Sequence, residues 1–147
     1  MTHMSNFLKS IEGEDQGLKA DLDKALVSLK YNQDGLIPAI AQQHDTGEVL
    51  MMAWMNEAAI RETLETGHVC YWSRSRNQYW RKGESSGNQQ ILVSLNVDCD
   101  GDTLLVKVDQ TGAACHTGRR DCFYNEITKD GLSIIKDPIQ DPNSLYK

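Results

Sequence analysis

The stretch Ile91-Leu92-Val93-Ser94-Leu95-Asn96-Val97-Asp98-Cys99-Asp100-Gly101-Asp102-Thr103-Leu104-Leu105-Val106-Lys107-Val108-Asp109-Gln110 sets the architecture. Ile91, Val93, Leu95 and Val97 recur at every second position, the period of a half-buried β-strand. Gly101-Asp102 supplies a turn, and Thr103–Gln110 returns as a second strand. The turn also carries chemistry. If the chain stays extended through it, Asp98, Asp100 and Asp102 share one face and Cys99 takes the other. Three carboxylates on one face suit magnesium or calcium, although acidic residues are also common at solvated turns. A calcium-binding EF-hand loop is excluded. Counted from Asp98, its glycine and glutamate positions hold Thr103 and Asp109.

Downstream lies Ala114-Cys115-His116-Thr117-Gly118-Arg119-Arg120-Asp121-Cys122-Phe123. Soft thiolates select zinc where hard carboxylates select magnesium. Cys99, Cys115 and Cys122 do not have the tight spacing of a zinc finger, but each stands beside polar residues, unlike a core thiol. Three thiolates leave the fourth tetrahedral position of a zinc ion open, as catalytic zinc requires. Cys70, beside Tyr71 and Trp72, reads as a packing residue. His116 adjoins a candidate ligand and is either a structural histidine or the general base.

A second cluster comprises Tyr71-Trp72-Ser73-Arg74-Ser75-Arg76 and Trp80-Arg81-Lys82-Gly83-Glu84-Ser85-Ser86-Gly87. Arg74, Arg76 and Lys82 offer charge-assisted hydrogen bonds to phosphate, and the Ser85-Ser86 loop offers backbone amides as an anion nest. Trp72 and Trp80 fit a packed core better than a base-stacking role.

The 147 residues form one domain with a real core, at ordinary apolar and charged content of 39% and 24%. A net charge of −6 argues against nonspecific nucleic-acid binding. No apolar run reaches membrane-spanning length, and the N-terminus lacks a secretory pattern. A cytoplasmic location with reduced cysteines is expected.

Residues 1–34 are expected to be a loose arm with a short amphipathic helix over 18–30, where Leu18, Leu22, Leu26 and Leu29 recur. Asn32–Gly35 predicts a turn. Strands are predicted over 38–43 and, as a buried apolar run, over 48–55. Asn56 is the predicted N-cap of a helix over 57–66, and Gly67 its C-cap. Strands at 68–74 and 78–82 flank a turn at 75–77. Asp130-Gly131 marks a hairpin between 122–128 and 132–136, and residues 137–147 read as an irregular tail. Residues 35–136 make the catalytic domain. The fold class is α+β, a mainly antiparallel sheet with a short helix after the second strand.

Six ordered blocks together resemble the phosphoribosyl-AMP cyclohydrolase family of histidine biosynthesis. They are Gly35–Ile40, Gly47–Asn56, Tyr71–Arg76, Lys82–Gly87, Asp98–Asp102 and Ala114–Phe123. The resemblance implies a hydrolase that opens the adenine ring of N1-(5-phosphoribosyl)-AMP between N1 and C6. It implies zinc on Cys99, Cys115 and Cys122, and magnesium on Asp98, Asp100 and Asp102. It also implies an intertwined homodimer, with the zinc site shared between subunits and a small-molecule nucleotide as substrate. Two positions depart from the common pattern: Asn88 stands where many members have His, and Asp121 where many have Ser. The competing reading is a non-catalytic zinc module, which a fourth protein ligand closing the zinc site would reveal. A zinc nucleotide deaminase is excluded by the lack of HxE and PCxxC motifs.

Overall fold

The computed structural model describes residues 6–145; His3, in the N-terminal arm, lies outside them. Eight strands and four helices follow in the order α1 Asn6–Ser10, α2 Leu22–Val27, β1 Ile37–Gln43, β2 Val49–Met55, α3 Glu57–Thr66, β3 Cys70–Ser73, β4 Gln78–Arg81, β5 Gln90–Val97, β6 Leu104–Gln110, β7 Asn125–Thr128, β8 Gly131–Ile134 and α4 Pro142–Leu145. No described helix is long and apolar enough to cross a membrane.

Six strands form one sheet in the order β4-β3-β2-β1-β6-β5, and β7 and β8 form a separate hairpin. The sheet is mixed. All its pairings are antiparallel except one, where β1 runs parallel to β6 with Ala39 opposite Leu104 and Gln43 opposite Val108. The sheet curls. His68, just before β3, bridges to Ile91 at the start of β5, and amide bonds Val69 N to Gln90 O (3.1 Å) and Leu92 N to Gly67 O (2.8 Å) hold the approach.

Alternation sorts the central strands. Ile37, Ala39 and Ala41 of β1 and Leu104, Val106 and Val108 of β6 are buried on the inner face. Helix α3 packs on β3 and β2, and its Ala59 and Ile60 join the same core. A ten-residue helix is marginal by itself, and burying Ile60 contributes about 2 kcal/mol towards holding it. Its ends are as expected: the Asn56 carboxamide accepts from Ala59 N (2.8 Å), and Gly67 closes it at φ +78°.

Four local expectations change. The predicted helix over 18–30 contracts to α2, capped by Asp21, whose carboxylate accepts from Lys24 N at 2.7 Å; Leu18 and Leu22 stay exposed. The arm is also less loose than expected, since residues 6–10 form α1 and Leu8 packs against the core. In β5 the apolar residues at odd positions mostly face outward. A bulge at Val93, between the pairs Leu92–Val108 and Ser94–Lys107, shifts the alternation, so that Leu92 and Leu95 reach the core while Val93 is 53% exposed. Strand β2 is not buried throughout: Leu50, Met51 and Met55 are buried, while Val49 and Met52 are exposed.

Candidate active site and metal centres

The segment 111–122 leaves the end of β6 and folds back over the mouth of the sheet. Arg120 fixes it. Its guanidinium donates to Gln110 O (2.9 Å), Gly112 O (2.8 Å) and Gln43 Oε1 (3.1 Å), and pairs with Glu48 (3.1 Å). Ala114 N and Cys115 N donate to Arg120 O and Arg119 O, making a tight loop. The far end is tied down by Cys122 N donating to Leu50 O at 2.8 Å.

This loop brings Cys115 and Cys122 side by side. Cys115 is buried, and its sulfur accepts from Thr117 Oγ1 at 3.1 Å. Cys122 is exposed as a residue, but its thiol is turned against Cys115. Burial, and then the neighbouring Cys115, push the Cys122 thiol up to about 12. Two thiols side by side are a donor pair that suits a soft divalent cation.

Cys99 is elsewhere. The turn that carries it sits at the start of β6 and the 111–122 loop at the end, and seven residues of strand separate the two by about 20 Å. Among the described residues, no group of three or more His, Cys, Asp or Glu converges on Cys115 and Cys122. The described residues of one chain therefore neither assemble the three-thiol set nor close a four-ligand structural zinc site.

Asp98, Asp100 and Asp102 do converge, with carboxylate oxygens within 4.8 Å of one another. The cause is not the extended alternation expected from sequence. Strand β5 stops at Val97, and a tight turn gathers the three: Asp102 N donates to Asp98 Oδ1 at 3.0 Å, and Gly101 takes φ +75°. The carboxylates strain against each other. The Asp102 carboxyl is pushed up by its hydrogen bond with Asp98, by burial and by the charges of Asp98 and Asp100. Asp98 meets an upward push from burial, which hydrogen bonds with Asp102, Thr103 and Gly101 outweigh, so it stays below the usual carboxylate range. An all-oxygen donor set of this kind fits a hard cation such as magnesium.

Beside the thiols opens a cavity of about 700 Å³, lined among others by Arg76, Lys82, Ser85, Ser86 and His116. Five predicted site residues thus meet in one place. Arg74 does not join them. Its guanidinium stacks 4.6 Å from the Trp54 ring centroid, in a neighbouring cavity of about 600 Å³ that shares Ser73, Ser75 and Trp80 with the first. The loop 83–89 is shaped by Gly83 at φ +83°, where a Cβ would stand 2.5 Å from Gln89 N. None of the described hydrogen bonds uses the amides of Ser85 or Ser86, which suits an anion nest. Lys82 differs from its neighbours. It is 5% exposed, and its ammonium turns inward to Ala114 O at 2.7 Å. Burial pushes its pKa down, while Cys122 and then Cys115 pull the other way.

Sequence reasoning missed the supports. Arg120 carried no expectation, and neither did Gln140 in the tail. Its carboxamide accepts from Asn88 Nδ2 (2.8 Å) and Ala113 N (3.0 Å), and its backbone amide donates to Gly118 O (3.1 Å). The two unusual positions have structural roles. Asn88 is buried on Gln140, and buried Asp121 accepts from Lys136 Nζ at 2.6 Å and from Phe123 N at 2.8 Å. Gly87, directly before Asn88, takes φ +81° and signals a special backbone there, but nothing local points to Gln140.

The chain has close relatives. The family model for phosphoribosyl-AMP cyclohydrolase matches residues 51–124. A phosphoribosyl-AMP cyclohydrolase of Alkalilimnicola ehrlichii is 62% identical over 138 residues, covering 94% of this chain and 97% of that protein. The one of Alcanivorax borkumensis is likewise 62% identical over 138 residues, with the same coverage. That of Hydrogenovibrio crunogenus is 60% identical over 139 residues, or 95% of each.

Proposed function

The chain belongs to the phosphoribosyl-AMP cyclohydrolase family, and on that footing we propose how its own residues carry the reaction. Membership assigns the catalytic role, hydrolysis of phosphoribosyl-AMP in histidine biosynthesis. The bond broken is N1–C6 of the adenine ring, where substitution at N1 leaves C6 electron-poor. The observation that carries the reading is the meeting of the Cys115–Cys122 pair, His116 and a cationic, serine-rich cavity.

Cys115 and Cys122 of one subunit, with Cys99 of the partner subunit, hold zinc. The separation of Cys99 from the other two within one chain supports a shared site in a homodimer. Zinc held there supplies Lewis acidity for activating water. A thiolate-rich set acidifies water weakly, so a protein base is needed. His116, exposed and on the cavity wall, takes the proton from water as the C6–O bond forms, and returns it to N1 as the N1–C6 bond breaks. Arg76, Ser85 and Ser86 hold one phosphate of the substrate, and Arg74 in the adjoining cavity reaches the other. Asp98, Asp100 and Asp102 hold magnesium.

The test follows loss of adenine absorbance with phosphoribosyl-AMP, with and without a zinc chelator. Turnover that the chelator abolishes and zinc restores is the expected result. Unchanged turnover after complete zinc removal would overturn the metal assignment. Asp100→Asn should weaken the magnesium requirement and leave zinc bound. Loss of both metals together would mean that the two sites are not separate.

A further inference from the structure

Lys82 sits where a lysine is rarely found. Its side chain is buried beneath the 83–89 loop, its Nζ donates to Ala114 O at 2.7 Å, and the Trp80 ring lies 5.3 Å away. Among the described residues no carboxylate pairs with it. A carbonyl and an aromatic face are poor compensation for a buried ammonium, which normally keeps an anion beside it. The Lys82 hydrogen bond, moreover, goes to the residue immediately before Cys115.

We propose that Lys82 belongs to the metal centre, as the positive charge that compensates the thiolates and the clamp that positions the Cys115 loop. The proposal rests on the reading of Cys115 and Cys122 as zinc ligands. The charge count favours it. A divalent ion on three thiolates carries a net charge of minus one, and one ammonium held at the Cys115 loop makes the assembly neutral. A lysine that served only to grip phosphate would keep its head at the cavity rim, in water, as a point charge. Here Lys82 lines the cavity with Arg76, Ser85 and Ser86 but is itself 5% exposed, and its head is spent on Ala114 O. Lys82 is a positioning residue in this assignment: it acts through the thiolates, and the chemistry at C6 does not require it to touch the substrate.

The experiment compares zinc affinity in the full-length wild type, Lys82→Met and Lys82→Arg, by competition with a chromophoric chelator and without substrate. Methionine keeps most of the unbranched stem and removes the charge and the donor. Lys82→Met should bind zinc roughly 10- to 100-fold more weakly, as when an outer-shell partner is lost. Lys82→Arg should recover most of the affinity. Thermal melting of the metal-free proteins supplies the control that a merely structural role would fail. Metal-free Lys82→Met should melt at or above the wild-type temperature, because the charge removed had no anionic partner. Wild-type zinc affinity in Lys82→Met, with only KM for the substrate raised, would overturn the proposal and return Lys82 to phosphate binding. Equal losses of zinc affinity and metal-free stability would also overturn it, as would an affinity in Lys82→Arg as low as in Lys82→Met. A wild type that binds no zinc would overturn the ligand assignment itself, a different failure from the first. If Lys82→Met does not fold, Lys82→Gln, which can still donate to Ala114 O, replaces it under the same criteria.

Discussion

Cys70 and Cys122 show how little residue type says until the surroundings are known. Burial is the first cause of a raised pKa in both, and both thiols are pushed up to about 12. Cys122 has Cys115 against it, whereas Cys70 is fully enclosed beneath α3, its amide donating to Thr63 Oγ1 at 3.0 Å. Cys70→Ala should therefore cost about 1–2 kcal/mol of stability and keep its full zinc content. Cys122→Ala should lose zinc while folding normally. Metal analysis of the two purified variants checks this, and equal zinc in both would sink the distinction. The sequence already separated these cysteines, because one lies in an apolar run and the other among polar residues. It did not reveal which way Lys82 points. A lysine next to Gly83 and the serines looks like a rim cation, and only tertiary packing turns its head inward.

At the scale of elements, structure set by neighbouring residues was legible. The caps of α3, the Asn32–Gly35 turn and the Asp130-Gly131 hairpin all form where the sequence put them, because each depends on contacts within a few residues. The bulge in β5 depends on its register against β6, and no pattern within β5 encodes it. The convergence of the three aspartates was expected for the wrong geometric reason, since the turn interrupts the strand that was meant to align them. The 83–89 loop gives the prediction at this scale. Gly83→Ala forces a side chain into the left-handed region and against the Gln89 backbone, and should cost roughly 2 kcal/mol or more. The loop is a wall of the phosphate cavity, so KM should rise more than zinc content falls. A thermal melt and a KM measurement check this, and a variant matching the wild type in both would show that the loop has another stable shape.

The whole molecule presents apolar surface that its own chain leaves uncovered. Val93 is 53% and Ile127 80% exposed, and Leu132 and Ile134 extend the patch on the β7–β8 hairpin. Together with the distance from Cys99 to the other thiols, this supports a second copy as the missing cover. The decisive test is mixing. Cys99→Ala and Cys122→Ala, each inactive alone, are refolded together. In a shared arrangement a heterodimer concentrates both defects in one site, so up to half its sites should turn over. Verified heterodimers without activity would reject sharing. The parallel pairing of β1 with β6 has a consequence of another kind, in the timing of folding. This pairing joins residues far apart in the chain, such as Ala39 and Leu104. At a synthesis rate of about 5–20 residues per second, β1 and β2 wait several seconds on the ribosome with an unpaired inner edge before β6 emerges. Chains halted before Leu104 should stay sensitive to protease, and chains extended through Gln110 and clear of the ribosome should become resistant. Early resistance in the shorter chains would show that the first strands fold without their parallel partner.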